Sequence, residues 1–160
     1  MKGISSNSIT KGADEIKTYD TSDLLSKTSQ KTKDLWENIS QRMSKFEQGT
    51  FLSTTQGYVR FSFNDANTIC FIFFTKNFIR VRIREGLIQE NGAPANRWHS
   101  EINDYKNLAK RIEETWLRYE INGKKQDAIY VAHDLTIKDE KDIDYLIELI
   151  NQRYEAFINI

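Results

Sequence analysis

The sequence predicts an α+β fold: helices packed on an antiparallel sheet of three to five strands, in the order α-β-β-β-α-β-α. Three observations carry this. Apolar residues recur every three or four positions near the start and at the end of the chain, three segments of the middle third are strand-like, and turn-forming residues separate those segments. The 160 residues, 39% hydrophobic and 12% aromatic, can bury one core and leave no room for a second domain.

Residues 1–20, rich in Ser, Thr and Asn with two Gly, show no periodicity and read as a flexible leader or linker before a single domain over 21–160. Leu24, Leu25, Thr28, Thr32, Leu35, Trp36, Ile39, Met43 and Phe46 then fall on one helix face, predicting a helix over about 22–47 with Thr21 or Ser22 as cap and Gly49 after its end. In the middle third Tyr58, Arg60 and Ser62 alternate with Val59, Phe61 and Phe63, an Asn64–Asn67 turn follows, and 68–74 is an almost unbroken apolar run. A second turn at Thr75–Asn77 leads into the alternating segment 78–84. The economical arrangement is a three-stranded meander with 68–74 in the middle, because that run is apolar on both faces.

Residues 85–100 hold the single Pro and read as a loop ending in Arg97-Trp98-His99. Ile102, Tyr105, Leu108, Ala109, Ile112, Trp116 and Tyr119 suit a helix opened by Ser100 or Asn103, followed by a turn and a strand over Ala128–His133. Asn122-Gly123 leaves an alternative, since the same dipeptide closes tight hairpins and would make 117–121 a short strand paired with 127–134. A last helix over about 139–157, capped by Asp139, buries Ile143, Leu146, Ile147, Ile150, Tyr154, Phe157 and Ile158. There is no internal repeat.

Charge is balanced at 23 basic against 23 acidic residues, which argues against nucleic-acid binding by bulk charge. The balance hides an asymmetry: residues 57–84 hold five Lys or Arg and one Asp, whereas 101–160 hold nine basic and thirteen acidic residues. A single Cys excludes an internal disulfide framework and a cysteine zinc site, and Cys70, in the most apolar strand, reads as a buried inert thiol. No apolar run reaches the roughly 18 residues of a membrane span and the N-terminus is polar, so a cytoplasmic location is the expectation.

Arg80, Arg82 and Arg84 must share one face of their strand, because side chains alternate with period two. With Tyr58 and Arg60 on the neighbouring strand and Lys76 at the turn, that face becomes a basic, aromatic platform, with either Phe71 and Phe73 or Cys70 and Ile72 between. Arginine forks on phosphates and rings under bases would bind DNA or RNA, with strong salt dependence and little sequence preference. The competing reading is a solvated strand face whose arginines pair with the acidic last helix. Trp98 and His99 could line the pocket of a small-ligand binder or an enzyme, or Trp98 could anchor its loop in the core. His133 and Asp134, adjacent on a strand, point to opposite faces and form no dyad, so His133 reads as structural. Two His 34 residues apart suit no zinc motif, and there is no GxGxxG, GxxxxGK[ST] or GxSxG, so no metal, cofactor or catalytic residue is expected. Asp139-Glu140-Lys141 has the outer letters of a nuclease motif but opens a helix, and the chain reads as non-enzymatic.

Taken together, Leu35-Trp36-Glu37-Asn38-Ile39, Gly57-Tyr58-Val59-Arg60-Phe61, Lys76-Asn77-Phe78-Ile79-Arg80-Val81 and Asp142–Ile150 running on to Arg153-Tyr154-Glu155 resemble an uncharacterised bacterial domain family often labelled "predicted transport protein". The resemblance covers about residues 20–158. It departs around Trp98, which no Gly-rich stretch follows, and in the third strand, which carries Arg. Members of that family sit at the C-terminal end of restriction- and nuclease-type proteins. The resemblance therefore implies an accessory domain with no catalytic residues to carry over. The residues themselves leave DNA, RNA or a defence-system protein as the partner of the arginine face, or a protein partner or second copy docked on aromatics of the long loop and of the 22–47 helix.

Overall fold

The computed structural model describes residues 20–46, 50–64, 67–95, 99–121 and 123–159. The expected leader falls almost wholly outside them. Helices α1 (Thr21–Leu25) and α2 (Gln30–Met43) come first, then strands β1 (Thr50–Thr54), β2 (Val59–Phe63), β3 (Asn67–Phe74), β4 (Ile79–Ile88), β5 (Lys110–Ile121) and β6 (Lys124–Ile137), and a short 3-10 turn at Glu140–Asp142 leads into α3 (Ile143–Ile158). The strands form one antiparallel sheet in the spatial order β1-β2-β3-β4-β6-β5, so the fold is α+β with six strands in place of the expected three to five. As expected, the 67–74 strand lies inside the meander, with β2 and β4 on its two sides.

Four differences from expectation have local causes. The first helix is two helices. Thr28 turns its N–H and hydroxyl back onto the Leu25 carbonyl, and Ser29 starts a new helix by accepting from the Thr32 N–H and donating its own N–H to the Lys76 carbonyl. A strand precedes the meander: Thr50–Thr54 pairs with β2 along its whole length. The helix expected over 102–119 does not form. Asp104 accepts from the N–H groups of Leu108 and Ala109, Asn107 takes φ +53, and beyond this stop the chain extends as β5. Gly123 adopts φ +78 between β5 and β6, which pair as a hairpin in line with the alternative reading, its neighbour Asn122 lying outside the described residues, and β6 runs well beyond the expected Ala128–His133. Because β6 inserts between β4 and β5, residues 89–109 must carry the chain past one strand position to the sheet's outer edge.

α2 and α3 cover one face. Leu35, Trp36, Ile39 and Met43 of α2 and Ile143, Leu146, Leu149 and Ile150 of α3 join Val59, Phe61, Cys70, Ile72, Val81, Ile83 and Leu135 in one buried cluster. Aromatic edges lock the layers together, Trp36 standing 5.1 Å from Phe74 and Phe63 stacking on Phe157 at 5.9 Å. Truncating a fully buried Ile or Leu here costs about 2–5 kcal/mol. Cys70 is fully buried, and burial pushes its thiol far above the ordinary range, consistent with an inert side chain.

A candidate binding face on the open side of the sheet

The register settles which side chains share the other face. Arg60 stands opposite Phe71, Phe71 opposite Arg82, Arg82 opposite Asp134 and Asp134 opposite Lys110, one row crossing five strands. Beside it Phe73 faces Arg80, and Arg84 faces Ala132. Tyr58 packs on this face with its ring 5.3 Å from Phe71 and 5.6 Å from Phe73. The structure thus brings Tyr58, Arg60, Arg80, Arg82 and Arg84 together, with Phe71 and Phe73 between them, while Cys70 and Ile72 point to the core. Lys76 is exposed at the β3–β4 turn, where its carbonyl accepts from Ser29 and Thr32 and so seats α2.

Each arginine is steered. Arg82 donates from Nε and Nη2 to the two carboxylate oxygens of Asp134 at 2.8 and 3.1 Å, and this hydrogen-bonded pairing raises its pKa further above the ordinary guanidinium value. Arg60 Nε donates to Thr68 Oγ1 at 2.7 Å. Arg80 lies over the Phe73 ring at 4.6 Å and Arg84 near the Tyr130 ring at 5.4 Å. The acidic last helix is not their partner, because α3 packs on the opposite face; the acidic neighbour comes from β6. A shallow pocket of about 300 Å³ opens here, lined by Tyr58, Phe71, Phe73, Arg82, Arg84, Glu114 and Tyr130. Tyr130 and Glu114 escaped the sequence reading because Glu114 lay in the expected helix; hairpin register places them opposite each other. At the far end Leu87, Ala128, Tyr130 and Ala132 form a small second cluster under Ala95.

The helix-covered face holds a different polar group. At the β4 bulge Glu85 is 2% exposed. Its Oε1 accepts from His133 Nε2 at 3.0 Å and the Ile102 N–H at 3.1 Å, and its Oε2 from His99 Nε2 at 3.1 Å, with Arg111 Nη1 at 3.7 Å. Both imidazoles must carry a proton on Nε2 to donate to this carboxylate. Burial alone would push the Glu85 carboxyl up, but hydrogen bonds from His133, Ile102 and His99 outweigh it and hold it down at about 2. The Glu85 carbonyl accepts from Ser100 N–H and from the buried Arg153 guanidinium, which burial pushes down to about 10. Gly86 takes φ +127, and a Cβ there would stand 3.0 Å from the His99 Cα.

His99 therefore serves to hold the 99–102 segment against the sheet; its expected pocket partner, Trp98, lies outside the described residues. His133 and Asp134 do face opposite ways, one bonded to Glu85 and the other to Arg82. Asp139, Glu140 and Lys141 are exposed at the start of the 3-10 turn, where Asp139 pairs with Lys31 at 3.5 Å. Among the described residues, no group of three His, Cys, Asp or Glu side chains is placed to hold a metal ion, and no helix is long and apolar enough to cross a membrane.

The open antiparallel sheet face thus carries steered arginines among aromatic rings. Compared with family models, with curated proteins and with solved structures, the chain matches none.

Proposed function

We propose that this is a non-catalytic recognition domain that binds nucleic acid on the open face of its sheet, as a cytoplasmic accessory module in a restriction or defence setting. The observation that supports it is the row Arg60–Phe71–Arg82, flanked by Tyr58, Phe73, Arg80, Arg84 and Tyr130 and left uncovered by α2 and α3. Cations alone would suit any polyanion; rings interleaved at strand spacing add stacking, worth about 1–3 kcal/mol per base. Because Asp134 already holds Arg82, the face neutralises few phosphates, and the salt slope for a single strand is shallow, about −2 at most. This revises the strong salt dependence expected from an unpaired arginine row.

The test is fluorescence anisotropy of the domain with labelled eight-nucleotide DNA and RNA strands at low and moderate salt. Binding at micromolar concentration or tighter is expected, weakened about tenfold or more by Tyr58→Ala while the thermal midpoint stays within a few degrees of wild type. No binding at low salt would reject the proposal.

A second reading, docking on a protein partner or a second copy, draws on Tyr105 and Leu108, which are 56% and 60% exposed on the 99–109 segment. The first helices do not contribute an aromatic to such a surface, since Trp36 is core. Salt-insensitive association lost in Leu108→Asp would favour this reading.

A further inference from the structure

The pocket on the open face is too small and too specifically lined to be only a cationic platform. Its volume of about 300 Å³ is at the lower end of the range of small-molecule sites, about 300–1,000 Å³. Its rings come from different strands: Phe71 and Phe73 from β3, Tyr130 from β6, with Tyr58 just before β2. Its two guanidiniums, Arg82 and Arg84, stand on β4 between those strands. The one carboxylate in the lining is Glu114, directly across the β5–β6 ladder from Tyr130. Asp134 is occupied by Arg82, but Glu114 makes no hydrogen bond or ion pair among the described residues.

Resting on the proposed nucleic-acid function, we infer that this pocket takes one unstacked base of a single strand, and that Glu114 makes it prefer guanine. A base buried in a duplex stack offers its neighbours both faces and cannot reach rings seated in a sheet, whereas a splayed base can lie on the half-buried Tyr58 with its edge toward the buried Tyr130. A carboxylate only accepts hydrogen bonds. Guanine presents two adjacent donors, N1–H and the exocyclic amine, which match the two carboxylate oxygens. Adenine and cytosine present one amine beside an acceptor nitrogen, and thymine or uracil presents a lone N–H between two carbonyls that a carboxylate repels. Arg84, on β4 between the ring-bearing strands, stands on the same face for a flanking phosphate, while Arg82 stays with Asp134. Sequence preference thus arises at one position while the remaining strand is held without discrimination.

The experiment uses the full chain and labelled oligothymidine octamers whose central position is G, A, C or T, together with a twelve-base-pair duplex. The G-centred strand is expected to bind about tenfold or more tighter than the T-centred one, the discrimination typical of a bidentate base contact, and the duplex to bind more weakly than either. Glu114→Gln, an exposed edge-strand position that carries no core contact, should bring the G-to-T ratio close to one. Equal affinity for all four single strands overturns the guanine pocket and leaves the nucleic-acid reading standing. Duplex binding as tight as single-strand binding overturns the unstacked-base geometry. Retention of the full G preference in Glu114→Gln removes Glu114 as its source, and absence of binding to every probe overturns this inference together with the function it rests on.

Discussion

The two faces of strand β4 handle charge in opposite ways. Toward the helices, Ile79, Val81 and Ile83 are completely buried, and the one carboxylate that follows them, Glu85, is ringed by donors from four parts of the chain: His133, His99, the Ile102 N–H and Arg111. Toward the open side, Arg80, Arg82 and Arg84 are half-buried, Arg80 and Arg84 against the rings of Phe73 and Tyr130 and Arg82 in a bidentate pair with Asp134. A charge sealed by its own protein specifies structure, because removing any one donor leaves an unsatisfied buried group. A charge laid on aromatic surface with water beside it keeps capacity for a ligand. On the proposed function the Glu85 cluster serves folding and the arginine face binding, and the two roles should separate under mutation.

The largest effect is expected at Glu85. Glu85→Ala leaves two imidazoles and a backbone N–H without their acceptor and Arg111 with Glu113 alone, a loss of about 3–5 kcal/mol measurable by urea unfolding. Since this carboxyl drops from 4.5 in the free side chain to about 2 in the fold, its stabilisation is complete above pH 4.5 and disappears as pH falls through 2. That window carries about 3 kcal/mol. In Glu85→Gln the change in stability between pH 5 and pH 2 should flatten, while nucleic-acid affinity of the folded protein at neutral pH stays at its wild-type value. An unaltered acid profile in Glu85→Gln would mean that other carboxylates, not this cluster, govern acid unfolding.

Gly86 gives a smaller effect of the same kind. An added methyl must occupy a backbone conformation at φ +127 and also press on His99 Cα at 3.0 Å. Strain of about 1–3 kcal/mol follows for Gly86→Ala, seen as a lowered urea midpoint with unchanged slope. Alternation after Ile83 already places Glu85 on the inner face, and the bulge at this glycine brings Leu87 to the open face opposite Tyr130, so loss of stability with affinity retained keeps the two faces distinct. Loss of both would show that the bulge also shapes the pocket.

Much of this division is legible in the sequence where a single period dominates. The alternation from Tyr58 to Arg84 separates the core side chains of the meander from the arginine row, and the three-and-four spacing after Asp142 marks α3, because in each case only one secondary structure buries the apolar set. Where both periods fit, local chemistry decides. Ile112, Trp116 and Tyr119 suit a helix as well as a strand, and the outcome rests on the Asp104 turn before them and the left-handed Gly123 after them. Glu85 could not be singled out: an acidic residue beside a glycine at a strand end is ordinary, and its partners arrive from positions 99, 102, 111 and 133, contacts that exist only once the sheet order is known. Glu114 was hidden by the same helix–strand ambiguity, and the open-face pocket was legible only in its β2–β4 half.

The smallest effect tests the open face directly. Arg82 and Asp134 form a bidentate pair whose side chains are 23% and 12% exposed, intermediate between a solvated ion pair and a buried one. A double-mutant cycle with Arg82→Gln and Asp134→Asn should return a coupling of about 1 kcal/mol in stability. Binding carries the sharper signal. If Asp134 restrains Arg82 on a ligand-binding face, Asp134→Asn releases the guanidinium toward phosphate, so affinity for a single strand rises at low salt and the salt slope steepens by about 0.7, the contribution of one further phosphate contact. If Arg82 and Asp134 only complete a solvated sheet surface, the same substitution lowers stability slightly and leaves affinity and slope where they were. Arg82→Gln should move the slope little in either case, because in the wild-type protein that charge is already neutralised by its neighbour on β6.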